Sequence, residues 1–185
     1  MGTSAVILAA GASTRFGSAK QKARIGDRTM LEHVVAIARA AGLHPVIAVV
    51  PPGLAVTPAV VPVINDAPSA GLSRSLRLGL AAVPPESDAA VVLLGDQPTL
   101  SAETLGAILA VTGDERRPIV AASAHGRLGP PVLLRREAFA LADGAVGDEG
   151  LRSVLGAHPE LVTPVEVGAH APDVDTPADL AALER

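Results

Sequence analysis

The stretch Ser4-Ala5-Val6-Ile7-Leu8-Ala9-Ala10-Gly11-Ala12-Ser13-Thr14-Arg15-Phe16-Gly17-Ser18-Ala19-Lys20 decides the fold. Residues 5–10 are apolar at every position, as a strand buried on both faces of a sheet requires. The run then breaks at Gly11 into a loop rich in small and basic residues. A Gly-rich loop after a first strand can bring backbone N–H groups close to phosphate oxygens. This loop is not a Walker-type P-loop, because no Gly-Lys-Ser/Thr follows, and it lacks the Gly-x-Gly-x-x-Gly of dinucleotide-binding folds. Arg15, Lys20, Lys22, Arg24 and Arg28 crowd this region against one acid, Asp27, in a chain of net charge −4. Such a concentration of cations reads either as a local anion site or as a solvated basic loop.

Outward from this loop the same pattern repeats. Short Val- and Ile-rich runs at 46–50, 60–64, 89–94, 119–122, 131–134 and 161–167 alternate with helical patterns at 30–41, 72–82, 102–111, 135–142, 149–155 and 177–183. Strand–helix alternation predicts an α/β fold with a mainly parallel sheet. Leu31, Val34, Val35 and Ala38 mark the apolar stripe of the first helix, which Gly42 closes. Ser101 and Thr176 are expected N-caps, the latter followed by Pro177 at the first helical position. His125-Gly126 is expected to turn a hairpin. The proline-rich stretch 51–62 reads as a connection within one domain spanning residues 1–185.

The composition excludes several function classes. The chain has 185 residues and 49% hydrophobic content, enough for one sizeable core. With two Phe and no Tyr or Trp, the core must be aliphatic, and the usual platforms for stacking single-stranded bases are missing. Together with the acidic charge this argues against a nucleic-acid partner. The absence of cysteine removes disulfides, Cys-ligated metals and thiol catalysis. No apolar run is long enough for a membrane span, and the short first run has no basic leader, so a cytoplasmic location is expected.

Three further segments carry chemistry. Asn65-Asp66-Ala67-Pro68-Ser69-Ala70-Gly71-Leu72-Ser73-Arg74-Ser75 follows a strand and opens a helix, where free N–H groups can meet an anion or a base edge. Gly95-Asp96-Gln97-Pro98 puts an acid just past the carboxyl end of an apolar strand, the edge at which open α/β sheets bind ligands. An Asp there can hold Mg²⁺ or simply form a turn. Near the C-terminus, Asp173-Val174-Asp175-Thr176-Pro177-Ala178-Asp179 places Asp173 and Asp175 on one side if the segment is extended, with Asp179 in the first turn of a helix. No histidine has a partner at metal spacing, and His170 reads as a surface residue.

The spacing Leu8-Ala9-Ala10-Gly11-x-Ser13-x-Arg15-Phe16-Gly17-x-x-Lys20 resembles the opening motif of the MobA-like nucleotidyltransferases. Its Ala-Ala-Gly is most similar to molybdenum cofactor cytidylyltransferases. The segments at Asn65, Gly95 and Asp173 resemble the family's later motifs, as do Gly129-Pro130-Pro131 and Gly147-Asp148-Glu149-Gly150-Leu151-Arg152. At the former the family usually has Gly-His-Pro, so Pro130 is a departure.

The resemblance implies a Rossmann-like three-layer sandwich of the nucleotide-diphospho-sugar transferase kind. It implies transfer of CMP from CTP to the terminal phosphate of molybdopterin, with release of pyrophosphate. Leu8, Ala9, Ala10, Gly11, Ser13, Asn65, Gly71, Ser73 and Ser75 would bind the nucleotide, and Arg15 and Lys20 would be catalytic. Asp96 and Asp175 would hold Mg²⁺. Gln97, Asp148 and Arg152 would face the acceptor, although Asp148 and Arg152 read equally well as a cap and a pair on a helix. A molybdenum hydroxylase or its chaperone is the implied protein partner. Left open are GTP or another acceptor, a reductase of the kind found among MobA-like relatives, and a non-catalytic cofactor-binding module.

Overall fold

A computed structural model describes residues 2–11, 16, 20–112 and 116–183. In chain order the elements begin with β1 (Gly2–Leu8), the short strands β2 (Arg24–Ile25) and β3 (Arg28–Thr29), and helix α1 (Met30–Ala40). Next come β4 (Val46–Val50), β5 (Val61–Ile64), α2 (Leu72–Ala81), β6 (Ser87–Leu94) and α3 (Ala102–Leu109). The chain continues through β7 (Ile119–Ala124), β8 (Arg127–Arg135), α4 (Leu151–Ala157), β9 (Val162–Glu166) and α5 (Pro177–Leu183).

Seven strands form one sheet in the order β5-β4-β1-β6-β8-β7-β9. The pairs on the β5 side of β6 are parallel, as is β7 with β9. Only β8 runs against its neighbours. The mainly parallel α/β arrangement expected from strand–helix alternation is therefore present, with one reversed strand. That reversal follows from the tight turn at His125-Gly126, where φ values of 52° and 74° let β7 fold back directly onto β8.

Alternation along β1 divides the core into two layers. Ala5 and Ile7 pack with Leu31, Val34 and Val35 of α1 and with Leu105 and Ile108 of α3. Val6 and Leu8 face the other way, toward Leu76 and Leu80 of α2 and toward Leu151, Val154 and Leu155 of α4. Each fully buried Leu or Ile contributes about 1.5–3 kcal/mol, so the aliphatic layers supply what aromatics do elsewhere. Gly79 of α2 lies directly over Val6, and a Cβ there would meet the Val6 side chain.

Local rules set the helix ends. Gly42 (φ 79°) follows the last residue of α1's cap, and the bonds from Gly42 N to Arg39 O (3.0 Å) and Leu43 N to Ala38 O (3.1 Å) complete a Schellman motif. Ser101 caps α3 by accepting from Thr104 N at 3.0 Å, as expected. Two segments differ from expectation. Residues 136–144 form tight 3₁₀ turns rather than an α-helix, and α4 starts at Leu151, after the positive-φ Gly150. The β2–β3 hairpin, turned at Gly26 (φ 60°), is too short for periodicity to reveal.

Candidate functional site

The site lies at the carboxyl edge of β1, β4 and β6. Ala9 N donates to Val49 O at 2.8 Å and Gly95 N to Leu8 O at 2.9 Å, which stitches the three strand exits together. Position 95 must lack a side chain, because a Cβ there would lie 2.7 Å from the Ala9 Cβ. This close approach sets Asp96 beside the start of the first loop. Leu8, Ala9, Gly11, Lys20, Met30, Gly95 and Asp96 line a small cavity of about 30 Å³ there.

The segment after β9 returns to this edge. Val174 N donates to Asp96 O at 2.9 Å, which carries Asp173 and Asp175 to the end of β6. A capping box fixes the next residues. The Asp179 carboxylate accepts from Thr176 N (2.8 Å), Thr176 Oγ1 (2.8 Å) and Asp175 N (3.1 Å), and Thr176 Oγ1 accepts from Asp179 N. Those bonds to Thr176, foremost, hold the Asp179 carboxyl below the ordinary aspartate range. Asp179 is thus a structural anchor one turn from Asp175.

Lys20 closes the cluster. Its Nζ donates to Asp96 Oδ2 at 2.6 Å and to Asp175 Oδ1 at 3.0 Å, with Val174 O at 3.5 Å. The Lys20 side chain is 12% exposed and that of Asp96 is 23% exposed, so the pair sits largely out of water. Burial pulls the Lys20 pKa down, but the hydrogen bonds and charges of Asp96 and Asp175 outweigh it and leave the ammonium favoured. Burial pushes the Asp96 carboxyl above the ordinary aspartate range; Lys20 opposes that shift, and the charge of Asp173 adds to it. Asp173 itself accepts from Gln97 Nε2 at 2.8 Å, a neutral donor.

This donor set fits a hard divalent cation. Asp96 and Asp175 already share one cationic atom, Lys20 Nζ, and the charge of Asp173 acts on Asp96 from the other side. Among the described residues no group of three or more His, Cys, Asp or Glu forms a complete ligand set. Water and phosphate oxygens would have to supply the remaining positions, which is the usual state of Mg²⁺.

The segment from residue 65 to 75 reaches the site at Leu72, which lines a space together with Leu8 and Asp173. Asn65 is fully buried and satisfied: its Nδ2 donates to Ser75 Oγ at 2.9 Å, and its Oδ1 accepts from Ala67 N (3.1 Å) and Arg74 Nε (3.0 Å). Ser73 and Ser75 are buried as well. Asn65 and Ser75 thus bond to each other and hold the shape of the loop. Gly71 adopts φ 85°, ψ 177°, a region open almost only to glycine. Of the residues expected in the first loop, Ser13 and Arg15 lie outside the described residues.

A larger cavity of about 670 Å³ opens beside the acidic cluster, lined by Gln97, Arg127, Pro130, Arg152, His170 and Asp173 among others. A neighbouring space of about 100 Å³ adds Leu8, Leu72 and Asp148 and shares Pro130, Arg152 and Asp173. Gln97 thus lines the larger space, Asp148 the smaller, and Arg152 both.

Two residues of this cavity depart from the sequence reading, which put Asp173 on one side with Asp175 and His170 at the surface. Asp173 faces the cavity, whereas Asp175 turns to Lys20. His170, expected at the surface, is partly buried, and its ring lies against Gly129, where a Cβ would be 3.4 Å away. Its Nε2 lies 2.8 Å from Arg127 O, which can only accept, so Nε2 carries the proton. Nδ1 is then a buried acceptor that no described donor reaches. The one available signal was the small residue at 129, which makes room for a ring.

Comparison with known proteins bears on the family and the fold. The family model described as "MobA-like NTP transferase domain" matches residues 5–162. The bifunctional protein GlmU of Xanthobacter autotrophicus is 35% identical over 133 residues, 67% of this chain and 28% of that protein. The purine catabolism protein PucB of Bacillus subtilis is 31% identical over 104 residues, 54% of this chain and 48% of that protein. The chain thus spans less than half the length of either curated relative. Among solved structures, Rv0371c of Mycobacterium tuberculosis H37Rv is 28% identical with a TM-score of 0.84, covering 100% of this chain and 98% of that one. Its complex with manganese gives a TM-score of 0.80 at 28% identity, over 99% and 98% of the two chains. With the match running from the first buried strand to the start of β9, the chain belongs to the MobA-like NTP transferase domain family.

Proposed function

We propose that the protein is a nucleotidyltransferase that moves CMP from CTP to the terminal phosphate of molybdopterin, in the cytoplasm, for a molybdenum hydroxylase or its chaperone. The observation that carries this reading is the meeting of Lys20, Asp96 and Asp175 at one point, with the larger cavity beside it. Family membership supports the triphosphate. The acceptor and the choice of CTP rest on the Ala9-Ala10-Gly11 resemblance.

The chemistry asks little covalent help of the protein. An oxygen of the acceptor phosphate forms a bond to the α-phosphorus, the bond from that phosphorus to the bridging oxygen breaks, and pyrophosphate leaves. A phosphate monoester has its second pKa near 6, about where neutral solution already ionises it, so no strong base is needed. The protein must hold two anions together and neutralise charge moving onto the leaving group. We assign Gly11 and the amides beside it to phosphate, and Arg15 and Lys20 to neutralising charge on the leaving pyrophosphate. Asn65, Gly71, Ser73 and Ser75 shape the wall against the base and ribose. Asp96 and Asp175 would hold Mg²⁺, which when bound supplies charge neutralisation at phosphate oxygens. Gln97 orients Asp173, while Asp148 and Arg152 border the acceptor space.

Pro130 in place of the family's usual His keeps a second acceptor in view, another phosphate-bearing molecule in the same cavity. The test is pyrophosphate release with Mg²⁺, molybdopterin and either CTP or GTP. Release with CTP alone is expected. Release with GTP instead keeps the mechanism and overturns the base assignment. No release with either overturns molybdopterin as the acceptor.

A further inference from the structure

We infer that Lys20 and a divalent cation occupy the same place between Asp96 and Asp175, so that metal entry and the departure of the Lys20 ammonium are one event. Asp96 is too buried to remain an unpaired carboxylate at low cost. In the structure its counter-charge is Lys20 Nζ, at 2.6 Å from Asp96 Oδ2 and 3.0 Å from Asp175 Oδ1. Both distances are those of an ammonium that fills the gap between two carboxylates. A hard cation needs contacts of roughly 2.0–2.1 Å to such oxygens. A cation bound at these same two oxygens, Asp96 Oδ2 and Asp175 Oδ1, would lie where Nζ now lies, and like charges that close repel strongly in a water-poor site.

The consequence reaches the nucleotide, and here the inference rests on the triphosphate reading above. Once displaced, the ammonium needs a new anionic partner, and the triphosphate is the anion that arrives. The same triphosphate offers oxygens to complete the cation's shell, which the described acids alone leave unfilled. Metal and triphosphate therefore bind with positive, reciprocal coupling, and Lys20 is the residue that couples them. A bare divalent cation has to compete with a tethered ammonium and binds poorly, whereas the metal–nucleotide complex brings a partner for each charge.

The test uses two probes on the full chain: Mn²⁺ alone, followed by the loss of its free-ion electron paramagnetic resonance signal, and preformed Mn²⁺–CTP, followed by calorimetry. Lys20→Met keeps the length of the side chain and removes its charge. The variant is expected to bind Mn²⁺ alone at least tenfold more tightly than the unmodified protein, and Mn²⁺–CTP at least tenfold more weakly. Opposite changes in one variant cannot come from misfolding. Adding Asp96→Asn to Lys20→Met should abolish the tight Mn²⁺ site. Equal or weaker Mn²⁺ binding by Lys20→Met, or a tight site that survives Asp96→Asn, overturns the inference. If neither protein binds Mn²⁺–CTP while the contrast with Mn²⁺ alone persists, the cation exchange stands and the nucleotide reading fails.

Discussion

Gly71 and Gly147 meet backbone to backbone: a Cβ on Gly71 would lie 2.5 Å from the carbonyl carbon of Gly147 and 3.0 Å from Asp148 N. Gly71 precedes α2 beside Leu72, and Gly147 precedes Asp148 and the first turn of α4 with Arg152; Leu72, Asp148 and Arg152 line one space. The contact fixes one side of the site against the other.

Replacing Gly71 by Ala should therefore cost more than its backbone alone. The φ 85°, ψ 177° conformation penalises a side chain by about 1–3 kcal/mol, and the collision with Gly147 adds to it. Gly147→Ala is the control, because its φ of 47° is also unfavourable but nothing lies within 4 Å of the new Cβ. Urea unfolding of both variants should rank Gly71→Ala as the less stable. The reverse order would mean that the two loops are not in contact.

The capping box of α1 makes a prediction with a pH sign. Glu32 accepts from Thr29 N at 2.7 Å, while Thr29 Oγ1 accepts from Glu32 N at 3.2 Å. The hydrogen bonds from Thr29 hold the Glu32 carboxyl below the ordinary glutamate range. A depressed folded pKa adds stability above the unfolded pKa, and that stability is lost as pH falls through the folded value. Thr29→Ala should cost about 1 kcal/mol near neutral pH. The stability gap between the unmodified protein and Glu32→Gln should shrink on acidification, as read from thermal unfolding across pH. A gap that grows in acid would contradict the cap.

Asp175 and Asp179 stand one turn apart yet are expected to behave differently. Asp175→Asn should lower turnover by roughly 10²–10³-fold, the scale for removing one group that answers transition-state charge. Asp179→Asn should mainly loosen the start of α5 and leave turnover within about tenfold of normal, since its bonds run to the Thr176 cap. Steady-state kinetics on both variants separate the roles, and equal losses would merge them.

On the acceptor side, Arg152→Ala and His170→Ala should raise the KM for molybdopterin while leaving the KM for CTP nearly unchanged, because both line the larger cavity. For His170, retention of normal acceptor KM in the Asn variant, which keeps a donor for Arg127 O, would assign it the role of bracing β8. A rise in the KM for CTP in either variant would place the residue on the wrong side of the site.

The sequence made most of the fold legible for one physical reason. Strands such as β1 and β4 are buried on both faces, so their apolar runs stand out, and the helices between them keep a clear stripe. What stayed hidden depends on long-range packing. The reversal of β8 was implicit in the turn at His125, but its insertion between β6 and β7 was not. The 3₁₀ turns at 136–144 carry a helical pattern without a helix.

At the site, Lys20, Asp96 and Asp175 could be named from motif spacing, and the structure brings them within hydrogen-bond distance. The pairing of Gln97 with Asp173 could not, because it needs Val174 docked on Asp96. Nor could the placement of His170 over Gly129, two residues far apart in the chain.

The central claim is nucleotidyl transfer at Asp96 and Lys20, and the most direct measurement follows the nucleotide itself. CTP labelled at the α-phosphate is incubated with Mg²⁺, molybdopterin and the protein, and the products are separated. The expected result is label joined to the acceptor, with equimolar pyrophosphate, and loss of both in Asp96→Asn. Label that remains in CTP, or that appears only as free CMP, would contradict the account.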